Sequence, residues 1–148
     1  MGLCFSSVNV VSECSCTPMP FILIARCHVK PDTDIDIYLE AARIADKKVM
    51  ASEPGMLHHT FDQDPDDPLC FVWSEVYIGE DALIYHLANP ALAEFFSVHE
   101  EMGDDFSVEI YGVLSAETQE MCSSLAFPVK HYVSHLGYSR LSGIQTSL

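Results

Sequence analysis

Basic residues are scarce in this chain: 7 Lys and Arg stand against 22 Asp and Glu, for a net charge of −15. Most of the acid lies between Phe21 and Ser115. Nucleic-acid affinity rests on Lys and Arg displacing counterions from phosphates, so nucleic acid is excluded as a partner. The acid itself reads as a solubilising surface. Long apolar runs are also missing. None is long enough to span a bilayer, and no basic segment leads into a signal-type apolar stretch, so the protein is expected to be made and kept inside the cell. The six cysteines lack metal-ligand spacing: Cys14 and Cys16 have no second pair, and Cys27 and Cys70 sit in apolar runs as small hydrophobes. No HExxH, phosphate loop, Ser-His-Asp cue or CxxC pair occurs, and no metal site is expected. The His99-Glu100-Glu101 run reads as a solvated helix end.

What is present suits one domain with one core: 148 residues, 49% of them apolar. Residues 1–20 form a leader ending in Thr17-Pro18-Met19-Pro20. Within it, Gly2 followed by Ser6 fits the N-myristoylation pattern, with Cys4 placed for a second acyl chain; chance occurrence of so short a motif is the alternative. Two acyl chains anchor where one does not, so membrane contact is expected only if Gly2 and Cys4 are lipidated.

Residues 21–115 carry the folded pattern. Phe21–Val29 is apolar and β-branched, a strand. Thr33 or Asp34 caps a helix reaching Ser52, with an apolar stripe at Ile35, Leu39, Ala42, Ala45 and Val49, and Glu53-Pro54-Gly55 stops it. Met56–Asp62 and Leu69–Tyr77 are strands around a Pro-rich acidic turn. Gly79 opens a short helix through Leu87, Asn89-Pro90 starts another that fades near Gly103, and Phe106–Leu114 is the fourth strand. Residues 116–148 form an extension: a helix capped by Ser115, then an edge strand at best around Pro128, docked on the domain or on a partner subunit.

The order is the split βαβ, or ferredoxin-like βαββαβ, pattern: an α+β fold with helices on one face of an antiparallel sheet and strands one and three central. Small Cys70, Val72, Ser74 and Val76 are expected to meet the helices, leaving Phe71, Trp73 and Tyr77 on the other face. An exposed apolar face of that kind calls for a cover, most simply a homodimer joined sheet to sheet.

The runs Glu53-Pro54-Gly55-Met56-Leu57, Asp62-Gln63-Asp64-Pro65, Phe71-Val72-Trp73-Ser74-Glu75-Val76-Tyr77 and His86-Leu87-Ala88-Asn89-Pro90 resemble the antibiotic biosynthesis monooxygenase domain of the dimeric α+β barrel superfamily. The resemblance spans about Phe21 to Leu114. It implies oxidation of a small aromatic, quinol or polyketide-like substrate by O₂, without cofactor, in an apolar pocket of each protomer. The chain departs from the pattern at Glu75-Val76-Tyr77. Where haem-degrading relatives place a ligand His, it reads Phe95-Phe96, with His99 a turn late, so haem breakdown is disfavoured. The superfamily also holds cyclases, decarboxylases and proteins without a known reaction, so a non-catalytic ligand-binding or stress-response role is the competing expectation.

Such an oxidation needs a base near neutrality, a donor for the developing oxyanion and a dry pocket. His58, His59 and His86 are the candidate bases, although His58 and His59 must face opposite sides of their strand. His86 at a helix end could equally serve the helix dipole. Tyr77 and Trp73 are candidate donors and ring platforms. Glu75 needs a partner, for which Arg26 or His28 is available. Phe71, Tyr111, Arg26 and His28 complete the candidate substrate contacts.

Overall fold

Local signals set where the elements begin in the computed structural model, which describes residues 19–141. Nine elements follow one another: β1 (Phe21–Val29), α1 (Ile35–Ser52), β2 (Met56–Gln63), β3 (Cys70–Tyr77), α2 (Glu80–Leu87), α3 (Pro90–Met102), β4 (Gly103–Gly112), α4 (Ala116–Ser123) and β5 (Val129–Val133). Asp34 caps α1 by accepting from the Asp36 and Ile37 N–H groups. Asn89 caps α3 through the Ala91 N–H, with Pro90 at the first helical position, where its missing N–H costs nothing. Gly2 and Cys4, the candidate acylation positions, lie outside the described residues. No described helix is long and apolar enough to cross a membrane.

The sheet order is β2-β3-β1-β4-β5. β1 is antiparallel to both β3 and β4, so strands one and three are central, as the ferredoxin-like pattern requires. β5 lies parallel to β4 at the edge, which makes the sheet mixed. Ser115 caps α4, and its N–H and hydroxyl both donate to Glu80 at the start of α2, at 2.8 and 2.7 Å.

The expected orientation of β3 is reversed. Phe71, Trp73, Glu75 and Tyr77 face the helices and are buried, while Cys70, Val72, Ser74 and Val76 lie on the half-exposed open face. The reason is volume. Helices stand off a sheet by a layer of side chains packed to interior density, which rings fill and small side chains do not. α1 supplies the complementary ring: Tyr38 is fully buried against Phe71, Phe61 and Phe95, with centroids at 6.0, 6.5 and 5.5 Å. The buried stripe of α1 is therefore Tyr38, Ala42, Ala45 and Val49, and Leu39 is exposed.

His99 is also corrected from solvated to buried. Tyr38 Oη and His99 Nδ1 are hydrogen-bonded at 2.8 Å, which satisfies two polar atoms taken from water. Burial holds the His99 pKa below the usual histidine value. The chain leaves α3 through Gly103, where a Cβ would stand 2.1 Å from His99 Cε1, so only glycine fits.

Candidate active site

A cavity of about 60 Å³ lies between the sheet and its helices. Its floor is β1 and β3, through Leu23, Ala25, Trp73 and Glu75, and its walls are almost wholly apolar. Three polar side chains reach it: Glu75 from β3, His59 from β2 and His86 from the last turn of α2. Strand alternation brings Glu75 inward beside Trp73, and antiparallel pairing sets His59 directly opposite Glu75. A register shift between Met56 and His58 adjusts that alignment, and His58 then points out, exposed.

These groups form two polar sets that meet at the cavity, one around Glu75 and one around Glu53. Tyr77 donates its hydroxyl to Glu75 Oε2 at 2.6 Å, and His59 Nε2 lies 3.4 Å from Glu75 Oε1. On its other side His59 Nδ1 contacts Asp46 Oδ1 at 2.5 Å, and the imidazole stacks on Trp73 at 4.6 Å. His86 Nδ1 bonds Glu53 Oε2 at 2.9 Å, while Asn89 donates its amide to Glu53 Oε1 at 2.6 Å. His86 Nε2 stands 4.0 Å from Glu75 Oε1, beyond hydrogen-bond reach.

A carboxylate only accepts, so His86 Nδ1 donates to Glu53, and neutral His86 then carries its free lone pair on Nε2, on the Glu75 side. This is an oriented base held by a buried acid. His59 is poised differently. Burial opposes its charge, yet the hydrogen bond and field of Glu75, followed by those of Asp46, outweigh it, and its pKa is raised. Burial, then the Glu75 charge and hydrogen bond, push the Tyr77 hydroxyl well above its ordinary value. Tyr77 stays a neutral donor.

Of the residues singled out from sequence, the fold thus brings together His59, Trp73, Glu75 and His86. Tyr77 stands behind Glu75, to which it donates, and does not line the cavity. Phe71 is core, stacked on Phe61 at 5.0 Å. Arg26, His28 and Tyr111 lie on the opposite, open face of the sheet. Arg26 pairs with Glu109 and His28 with Asp104 and Asp67, so neither serves Glu75. Tyr111 stacks on Tyr132 at 4.7 Å. His58 is exposed and removed from the cavity.

The family model for antibiotic biosynthesis monooxygenases matches residues 20–98. The chain belongs to the antibiotic biosynthesis monooxygenase family. Solved structures agree in fold. A candidate antibiotic biosynthesis monooxygenase from Nitrosomonas europaea is 23% identical, covers 67% of this chain and 94% of its own, and superposes with a TM-score of 0.59. MupZ from Pseudomonas fluorescens is 19% identical over 82% of this chain and 95% of its own, with a TM-score of 0.61. No curated protein matches the sequence significantly.

The monooxygenase-family segment contains every member of both polar sets. Sequence reasoning missed two of them, Glu53 and Asp46, and saw Asn89 only as a cap. Glu53 reads locally as part of a helix stop, and its partners lie 33 and 36 positions away. Asp46 carried a weak signal, since it borders the buried stripe of α1 beside Ala45.

Proposed function

We propose that the protein is a cofactor-independent monooxygenase that oxidises a small aromatic, quinol or polyketide-like substrate with O₂ in the Glu75–His59–His86 cavity. The observation that carries this reading is the Glu53–His86 pair, an oriented base beside a buried carboxylate in an otherwise apolar pocket. Such a pocket strengthens each electrostatic contact and keeps out the water that would intercept a reactive anion.

In this reading the substrate ring lies along Trp73 and its acidic C–H or O–H meets His86 Nε2. Glu75 accepts a neighbouring substrate hydroxyl. His86 takes the proton, and the substrate anion passes one electron to O₂. The two radicals join through a new C–O bond. The imidazolium of His86 returns its proton to the peroxide, whose O–O bond breaks as water leaves and a carbonyl forms. The two hydrogens lost by the substrate, one to His86 and one from the carbon that bears the peroxide, leave with one oxygen atom as that water.

A homodimer with the open sheet faces opposed belongs to the same proposal. It is supported by Ile22, 46% exposed, and Tyr111, 37% exposed, which share that face with half-buried Ile24, Val72 and Val76. Burying such a patch yields ~25 cal/mol per Å². Light scattering at micromolar concentration tests it, and a monomer mass would exclude it.

The small cavity volume favours one competing reading, a non-catalytic ligand-binding or stress-response protein of the same fold. Oxygen uptake with a panel of hydroquinones and anthrones separates the two. The enzyme reading expects uptake above the buffer rate that falls about a hundredfold or more in His86→Ala, as for loss of a general base. Uptake at the buffer rate across the panel would sink it.

A further inference from the structure

The cavity has a second end, built largely by residues outside the family-matched segment. Phe127 lines it together with Phe96 from α3 and Phe106 from β4. The three rings form a closed cluster: Phe96 to Phe127 is 5.5 Å and stacked, Phe106 to Phe127 is 4.7 Å and edge-on, and Phe96 to Phe106 is 4.9 Å and edge-on. We infer that Phe127 is a specificity-determining residue: it is the end wall that sets the length of ligand the cavity accepts. This inference rests on the cavity being the substrate site.

The position of Phe127 is held from both sides. On its C-terminal side the Val108 N–H donates to the Pro128 carbonyl at 2.9 Å, and β5 then runs in register with β4. On its N-terminal side α4 is tied to α2 through Ser115 and Glu80. The ring therefore sits at a fixed point on a short, doubly anchored connection. No other part of residues 116–141 lines the cavity.

Strand order gives the scale. The polar end lies on β2 and β3, and the aromatic end lies over β4, two strand steps from β3 through β1. At about 4.8 Å per step, the floor from Glu75 to the Phe106 side is about 10 Å long. A ligand whose hydroxyl meets Glu75 extends its apolar part across Leu23, Ala25 and Val108 and stops at Phe127. A single ring never reaches that wall, whereas a fused three-ring system presses on it. Phe127 thus discriminates by length and leaves the polar end untouched.

Trp73 is the only tryptophan in the chain and lines the cavity, so quenching of its fluorescence reports occupancy without turnover. Anaerobic titrations with hydroquinone, naphthohydroquinone and anthrone test the inference on the full chain. Phe127→Ala is expected to raise affinity for anthrone relative to hydroquinone by about tenfold, the scale on which an apolar pocket reads a change of size. Phe127→Leu, which keeps apolar bulk and guards against unfolding of the alanine variant, is expected to fall between. An unchanged ratio in variants that still bind hydroquinone would overturn the role of Phe127 and leave the monooxygenase reading standing. Quenching by none of the three ligands, in wild type or variants, would overturn both.

Discussion

Glu53 offers the most discriminating perturbation. The residue is 4% exposed, and its carboxylate accepts from His86 Nδ1 at 2.9 Å and Asn89 Nδ2 at 2.6 Å. Glu53→Ala removes both acceptors and leaves the buried His86 donor without its carboxylate. Breaking a buried charge-assisted pair by deleting one partner costs ~3–5 kcal/mol, much of it the penalty of the group left behind. Glu53→Gln keeps an acceptor for Asn89 and loses the charge, so ~1.5–3 kcal/mol is expected. For a chain of this size, 1 kcal/mol lowers Tm by roughly 2–4 °C, so the alanine variant should melt about 10 °C early and the glutamine variant about half that. Calorimetry gives these shifts, and nitrogen-15 NMR of the imidazoles reads the second consequence. Wild-type His86 should hold its proton on Nδ1 when neutral, and both variants should move it toward Nε2. A Tm loss in Glu53→Ala no larger than that of an exposed Glu→Ala control, with the tautomer unmoved, would refute the oriented-base argument.

Further outcomes follow from the same geometry. His59 has a raised folded-state pKa, so its contribution to stability is fully present below the unfolded value of 6.5 and is lost as pH rises through the folded value. Denaturant unfolding followed from pH 5 upward should show that decline, and His59→Gln should flatten it; a slope that survives the substitution would place the titrating group elsewhere. Gly103→Ala forces a methyl into the His99 ring and should cost about 1–3 kcal/mol by urea unfolding, while Gly137→Ala, in open space but at positive φ, should cost less. Glu80→Gln weakens the anchor between α2 and α4, and hydrogen exchange should then quicken in α4 and β5 while the β1–β3 ladder keeps its protection.

Elements and their ends were legible from local chemistry. Asp34, Asn89-Pro90 and Ser115 stop or start helices by hydrogen bonds made within three residues, which a linear sequence displays. The order of those elements then admits few topologies, and the central pairing of β1 with β3 follows from the hand of the crossovers. The site was legible in part. His59, Glu75 and His86 stood out as titratable groups in apolar surroundings, whereas Glu53 and Asp46 acquire meaning only through partners remote in the chain.

Period-two alternation sorted β3 into two sets of residues, and that much the chain determined alone. Which set faces inward is invisible to a strand considered by itself, because both sets are compatible with its backbone. Tertiary packing decided it. Tyr38 and Phe95 descend from the helices, and only the ring-bearing side of β3 fills the space beneath them. The same choice carried Glu75 inside with Trp73, away from Arg26 and His28 and into reach of His59. The candidate site exists because the rings had to be buried, and the carboxylate went with them.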